Sequence, residues 1–234
     1  MKLLEVREID TFYGLSHILF GVSVEINEGE IVGMLGRNGV GKTTTLRSIM
    51  GLTPPHSGSI KFDGEEIRGK QPFQIARRGM GFVPEDRIIF PDLTVCDNLR
   101  YAARKGKHGE GWTLERIYSM FPILKEREKQ EGGTLSGGEQ QMLTIARTLM
   151  GNPRLILLDD PVEGLAPVLV RTLKEQILLL KQSKVTTLIA EENSSFIQGV
   201  SDRIYILEKG QVCWHGDALE LKEKPEILKK YLGL

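Results

Sequence analysis

The segment at residues 36–43, GRNGVGKT, constrains the fold of this chain more than any other. It matches the pattern G-x-x-x-x-G-K-[ST], which is typical of a loop that surrounds phosphate groups with backbone N–H donors. A continuous apolar run, Ile31 to Leu35, precedes the segment, and a stretch with helical spacing, Lys42 to Met50, follows it. The pattern predicts a buried strand, a phosphate loop and a helix whose N-terminus adds favourable partial charge.

This loop supplies the first candidate site residues. We expect Lys42 to reach the β and γ phosphates of a nucleotide, and the Thr43 hydroxyl to ligate Mg²⁺. Such loops need an acidic partner at the end of another buried strand, and Asp159 follows the apolar run Arg154 to Leu158. Paired aspartates after a strand commonly mark a turn, but beside a phosphate loop the metal interpretation is favoured. The predicted nucleotide ligands here are Gly36, Asn38, Gly39, Gly41, Lys42, Thr43 and Thr44.

The remaining apolar runs alternate with helical stretches, which predicts an α/β fold with a mainly parallel sheet and helices on both faces. Two alternating segments near the start, Leu3 to Ile9 and Val22 to Ile26, predict antiparallel strands with one solvated face. The further predicted strands are Gly79 to Val83, Arg154 to Leu158, Thr186 to Ala190 and Arg203 to Leu207. The later predicted helices are Val95 to Arg104, Thr113 to Phe121, Glu139 to Met150, Val168 to Leu180 and Pro225 to Leu232.

Residues 1–234 are predicted to form one domain with two parts. Strand patterns disappear between Pro84 and Gly151, where helical spacing takes over. We therefore expect an α/β core, with its N-terminal antiparallel strands, from residues 1–84 and 152–234, and an inserted helical lobe from residues 85–151. A loop is expected from Gly106 to Gly111.

Composition excludes several classes of protein. The 31 Lys and Arg residues balance the 31 Asp and Glu residues, so attraction to nucleic acid is not a driving force for the whole chain. The sequence contains no run of 18 apolar residues, and its charged N-terminus does not resemble a signal peptide. Cys96 and Cys213 fit no metal-ligand spacing and indicate free thiols in a reducing compartment. We expect a cytoplasmic chain.

A second glycine-rich motif, LSGGEQQ at residues 135–141, opens a predicted helix with further backbone donors for an anion. With the phosphate loop and the strand that ends in Asp-Asp-Pro, it resembles the ATP-binding subunits of ABC transporters, over essentially the whole chain. The resemblance implies the ABC ATPase fold and a head-to-tail dimer, in which each ATP lies between one subunit's phosphate loop and the other's LSGGE segment. It assigns Tyr13 to the adenine. The residues assigned to the ATP held by the partner are Ser136, Gly137, Gly138 and Glu139.

Three positions depart from the broad family pattern. Asp160 replaces the glutamate that polarises the attacking water, Glu85 replaces the loop glutamine, and Glu192 replaces the γ-phosphate-sensing histidine. These three are the candidate catalytic residues, and Glu85 is also a candidate Mg²⁺ ligand beside Thr43 and Asp159. One hypothesis is that this subunit's own site is slow while its LSGGE segment completes a fast site on a different ATPase. The alternative is that Asp160 re-aims and both sites turn over normally.

Three longer segments, VPEDRIIFPDLTV, GGTLSGGEQQML and EGLAPVLV, look like the short ATPases of branched-chain amino-acid importers and their urea and amide relatives. This resemblance implies Mg²⁺-dependent ATP hydrolysis that powers import at the cytoplasmic face of the plasma membrane. The implied partners are a second ATPase, with a heterodimer favoured over a homodimer, two membrane permeases and, indirectly, an extracytoplasmic solute-binding protein, without nucleic acid. Ile88, Ile89 and Phe90 are then either exposed permease contacts or ordinary core residues.

Other functions remain open from sequence. They are the ATPase of a urea, amide or other small-solute transporter, an exporter ATPase, a regulatory subunit with weak hydrolysis, and a non-transport ABC ATPase that acts on ribosomes or DNA. The neutral charge and the single cassette argue against the last. The solute is not encoded in this chain, because selectivity lies in the permeases and the binding protein.

Overall fold

The computed structural model describes residues 1–104 and 111–233, so the expected loop after residue 105 lies outside the described residues apart from its last glycine. The strands are β1 (Lys2–Tyr13), β2 (Ser16–Asn27), β3 (Ile31–Leu35), β4 (Ser57–Phe62), β5 (Glu65–Glu66), β6 (Met80–Val83), β7 (Leu155–Asp159), β8 (Thr186–Glu191), β9 (Arg203–Glu208) and β10 (Gln211–Asp217). The helices are α1 (Lys42–Ile49), α2 (Pro72–Arg77), α3 (Val95–Ala102), α4 (Leu114–Met120), α5 (Pro122–Glu126), α6 (Gly137–Met150), α7 (Pro167–Gln182), α8 (Ser194–Val200), α9 (Ala218–Glu223) and α10 (Pro225–Leu232).

Two sheets form in the described part of the chain. The larger has the strand order β10-β9-β3-β8-β7-β6, and the smaller has the order β2-β1-β4-β5. All neighbours in the larger sheet pair in parallel except β10, which runs antiparallel to β9. The smaller sheet is antiparallel throughout. The expected α/β fold with a parallel core and an antiparallel N-terminal part is therefore confirmed.

The parallel strands are buried on both faces, which is why their sequences are continuous apolar runs. Ile31 and Leu35 of β3 pack in one apolar cluster with residues of α6, α7 and α8. Val32 and Met34 point to the opposite face and pack in a second cluster with α1 and the antiparallel sheet. Helices therefore cover both faces as expected, but on the second face α1 is sandwiched between the two sheets.

The antiparallel strands β1 and β2 are 12 residues each, longer than the sequence pattern predicts. Their inward side chains alternate with exposed ones, so each strand buries one face against α1 and the core sheet. Strands β4, β5 and β10 and helices α2, α5, α8 and α9 were not predicted. These elements are short, and a six-residue segment gives periodicity too little length to register.

Helices α3 to α6 lie between β6 and β7 in the chain, where helical spacing was expected. The bounds of α3, α4, α6 and α7 agree with the predictions to within about two residues, and the helix predicted over Pro225 to Leu232 is confirmed. Cys96 and Cys213 are free and partly buried. In the described ranges, we find no helix with the length and apolar character that a membrane crossing demands.

Candidate nucleotide-binding site

The phosphate loop between β3 and α1 requires glycine for steric reasons. Gly39 and Gly41 have φ angles of 81° and 110°, in the left-handed region that favours glycine. A Cβ on Gly36 would lie 2.8 Å from the Leu207 carbonyl oxygen, and one on Gly41 would lie 2.7 Å from Leu19 Cδ2. The backbone can therefore curl tightly at the N-terminus of α1 only because these side chains are absent. Such a cradle fits the phosphates of a nucleotide.

Lys42 lies at the centre of this cradle and is only 3% exposed. Its Nζ donates to the Gly36 carbonyl oxygen at 3.1 Å and to Asn38 Oδ1 at 3.2 Å. The same ammonium lies 3.5 Å from Asp160 Oδ1. These oxygen partners hold the buried ammonium group inside the loop. There it can exchange them for hydrogen bonds to the oxygens of a phosphate.

Thr43 and Asp159 meet across the site, as the sequence predicts for a metal pair. The Thr43 hydroxyl donates to Asp159 Oδ1 at 3.0 Å. Burial raises the pKa of Asp159 to about 6, and the Thr43 hydrogen bond acts in the opposite direction. A hydroxyl and a carboxylate are oxygen ligands of the kind that Mg²⁺ prefers. The residues present therefore fit a magnesium ion, and their roles as ligands stay a prediction.

Asp160 is the next residue and has a left-handed backbone, with φ at 40°. The residue is 7% exposed, and burial raises the pKa of its carboxyl group to about 7. The Lys42 ammonium lowers this pKa, whereas the neighbouring Glu191 carboxylate raises it. Carboxylate oxygens of Glu85, Asp160 and Glu163 all lie within 4.8 Å of one another. Asp160 thus belongs to an acidic cluster that faces Lys42.

A cavity of about 460 Å³ lies beside the phosphate loop. Tyr13 is exposed and lines this cavity together with the acidic residues Glu85 and Asp160. An exposed aromatic ring at such a wall can stack on a nucleobase. The other lining residues are Ile18, Asn38, Gly39, Gly41, Lys42, Thr43, Thr44 and Glu163.

The LSGGE segment does not line this cavity among the residues the structure describes. Ser136 caps α6, where its hydroxyl accepts from Glu139 N at 3.4 Å and its own N–H donates to Glu139 Oε2 at 2.8 Å. Gly137 and Gly138 form the first turn of this helix. The segment therefore lies outside the cavity beside Lys42, and its assignment to a partner's ATP stays a prediction.

Glu192 is exposed and also lies away from the cavity lining. Its assignment as a catalytic residue stays a prediction. Of the apolar residues 88–90, Ile88 and Phe90 are exposed, whereas Ile89 packs against the helical core. A permease contact of Ile88 and Phe90 therefore stays a prediction, whereas Ile89 has the packing of a core residue.

Three site residues escaped the sequence reasoning. Glu163 joins the acidic cluster, and Glu191 is buried at the end of β8 beside it. Arg87 has a left-handed backbone with φ at 50°, and its Nη2 donates to the Glu163 carbonyl oxygen at 2.6 Å. Arg87 Nη1 lies 2.5 Å from the position that a Cβ of Gly137 would occupy. Only Glu191 carried a usable signal, because it ends an apolar strand as Asp159 does.

A glycine cradle, a buried lysine and an aspartate pair at the carboxyl edge of a parallel sheet define a P-loop nucleotide-binding protein. The family described as ABC transporter matches residues 19–163. The chain belongs to this family, as one of its ATP-binding subunits. Members bind ATP or ADP, hydrolyse ATP and work with transmembrane permeases, so the resemblance inferred from sequence is confirmed at this level.

Relatives match the chain over its length. The high-affinity branched-chain amino acid transport ATP-binding protein BraG of Pseudomonas aeruginosa is 40% identical over 232 residues, covering 99% of this chain and 100% of BraG. The lipopolysaccharide export system ATP-binding protein LptB of Escherichia coli K12 is 34% identical over 238 residues, covering 100% of this chain and 98% of LptB. The solved ADP conformation of MJ1267, an ATP-binding cassette of an ABC transporter, has a TM-score of 0.82 at 25% identity and covers 100% of both chains.

Proposed function

We propose that this chain hydrolyses ATP to power an ABC importer of branched-chain amino acids. The observation that carries the proposal is the match to BraG, at 40% identity over 99% of this chain. The match to LptB at 34% identity makes export the competing direction. Urea, amides and other small solutes are alternative cargoes of an importer.

In this proposal each residue of the nucleotide site has a separate role. Mg²⁺ bound to Thr43 and Asp159 would neutralise phosphate charge. Lys42 orients the β and γ phosphates, and Tyr13 stacks on the adenine. Asp160, buried beside Lys42, accepts a hydrogen bond from the attacking water and takes its proton. Glu85 lies close enough to Asp160 to hold the metal or the water in place.

We further propose a sandwich with a second, non-identical ATPase, bound to two permeases at the cytoplasmic face of the plasma membrane and served by an extracytoplasmic binding protein. Residues 136–139 then contact the partner's ATP. Residues 1–84 and 152–234 act as the core, and residues 85–151 act as the helical lobe. The exposed side chains of Ile88 and Phe90 support a permease contact in the loop that joins the core to the helical lobe.

Solute uptake in whole cells tests the proposal. A strain that lacks this chain should lose uptake of radiolabelled leucine, isoleucine and valine, and the unaltered chain should restore it. Lys42→Ala should fail to restore uptake, whereas Lys181→Ala, a change to an exposed residue paired with Asp202, should succeed. Normal uptake in the deletion strain, with accumulation of a substrate inside the cell, would favour an exporter instead.

Asp160 favours a regulatory role with weak hydrolysis. Its side chain is one methylene shorter than the glutamate of the broad family pattern, and its carboxylate lies 3.5 Å from the Lys42 ammonium. The purified assembly tests this role. Lys42→Ala in this chain and the matching change in the partner ATPase should reduce turnover unequally if this subunit's own site is slow. Equal losses would show that both sites turn over at similar rates.

A further inference from the structure

Glu191 occupies the point where three loops of the nucleotide site converge. It ends β8, whose neighbours in the sheet are β3 and β7. In the strand register Leu35 pairs with Glu191, and Asp159 pairs with Ala190. The phosphate loop therefore begins on one side of Glu191, and the Asp160 loop begins on the other.

The two carboxylate oxygens of Glu191 bind different loops. Oε2 accepts from the backbone N–H of Val162 at 3.2 Å, in the loop that follows Asp160. Oε1 accepts from the N–H groups of Glu192 at 2.9 Å and Asn193 at 3.0 Å, in the loop that follows β8. The main-chain oxygen of Glu191 accepts from Gly36 N at 3.4 Å, at the start of the phosphate loop.

This carboxylate accepts its hydrogen bonds from the main chain of neighbouring loops. Its residue is 4% exposed and does not line the cavity beside Lys42, among the described residues. A buried carboxylate is costly unless N–H donors or cations compensate it, and here three backbone N–H groups do so. Each donor belongs to a loop with little regular structure, so the carboxylate fixes the separation of these loops.

We infer that Glu191 is a positioning residue that transmits nucleotide binding from the phosphate loop and residues 192–193 to residues 160–166. A movement of either neighbouring loop must break a hydrogen bond to Glu191 or carry the other loop along. The inference needs only that the cavity binds ATP, and it does not depend on the transported solute or the direction of transport.

Glu191→Gln should remove the hydrogen bond to Val162 and keep those to Glu192 and Asn193, with almost no change in the shape of the side chain. A glutamine side chain retains one oxygen, which can serve the paired N–H groups of Glu192 and Asn193. Its amide nitrogen then faces Val162 N, and two donors cannot bond. Asp202→Asn is the matched control, since Asp202 Oδ2 also accepts a backbone N–H, that of Ile31 at 3.0 Å, at the opposite end of the sheet. Glu191→Asp is the second variant, which keeps the charge but cannot reach both loops.

The rate of backbone hydrogen exchange in the full chain, measured with and without ATP and Mg²⁺, tests this connection directly. In the wild type and Asp202→Asn, nucleotide should slow exchange about fivefold or more in residues 164–166, which do not line the cavity. In Glu191→Gln and Glu191→Asp this protection should fall below about twofold, while residues 36–45 stay protected and ATP affinity stays within about twofold. Unchanged protection of residues 164–166 in the Glu191 variants would overturn the inference. Equal loss in Asp202→Asn would also overturn it, because general destabilisation would then explain the effect.

Discussion

Replacing Asp160 with asparagine should make the protein more stable at neutral pH. Burial raises the pKa of Asp160 to about 7, well above the ordinary 3.8, so the folded state binds this proton more tightly than the unfolded state. Ionisation of Asp160 therefore opposes folding, and the unfolding free energy of the wild type falls as pH rises from about 4 to about 7. An asparagine does not ionise, so the free energy of unfolding of the variant does not fall for this reason.

The pKa difference sets the magnitude. The stability gap between Asp160→Asn and the wild type should widen by about 2–3 kcal/mol between pH 5 and pH 8, in favour of the variant. The contact with Lys42 is already part of this pKa, because the ammonium favours the ionised form of Asp160. Urea unfolding of both proteins without nucleotide measures the gap, and Asp160→Glu, which keeps a carboxyl group, should follow the wild type.

A gap that is equal at pH 5 and pH 8 would refute the reasoning, because the carboxyl group would then titrate alike in both states. The same variant should hydrolyse ATP about 10²–10⁴-fold more slowly, since it cannot take a proton from water. Greater stability with lower turnover would identify Asp160 as a strained functional group.

Three further changes test other parts of the site. Tyr13→Ala should weaken ATP binding by about 1–3 kcal/mol in an equilibrium titration while Tyr13→Phe stays close to the wild type, and equal affinities would argue against stacking. Asn98→Ala should lower the free energy of unfolding, measured in urea, by about 2–4 kcal/mol. The buried Asn98 side chain accepts from Phe90 N and donates to the Phe90 carbonyl oxygen, and both hydrogen bonds would be lost. A loss below about 1 kcal/mol would contradict this. Gly137→Ala should slow turnover of the assembly about tenfold or more, because the added Cβ would lie 2.5 Å from Arg87 Nη1 and would crowd the ATP that the partner is proposed to hold. Normal turnover would contradict the role proposed for residues 136–139.

The parts of the site that sequence predicts well are those encoded locally. A buried strand, the glycine loop and the first helix lie within about 20 residues, and each has a pattern that follows from backbone geometry. Asp159 could be added because parallel strands end at the same edge of a sheet. The structure brings Thr43 and Asp159 within hydrogen-bond distance, 3.0 Å, across a long stretch of sequence.

Glu191 shows why the rest was missed. Glu191 ends an apolar strand, which is a local signal, but its connections to neighbouring loops depend on the order of β3, β8 and β7 in the sheet, which arises from pairing between distant segments. The motif carried over by resemblance points to the next residue, Glu192, whose catalytic assignment stays a prediction. Arg87 was missed for the same reason, since Glu163 and Gly137 approach it only in the folded chain.

Equilibrium binding of ATP to the purified full chain, with Mg²⁺ present, tests most directly the claim that the cavity beside Lys42 is the nucleotide site. The wild type should bind one ATP per chain, and Lys42→Ala should bind it about 10–100-fold more weakly, because a buried charge-assisted contact to phosphate is lost. Lys181→Ala, which removes an exposed charge elsewhere, should bind within about twofold of the wild type. Equal affinities for the wild type and Lys42→Ala would contradict the account.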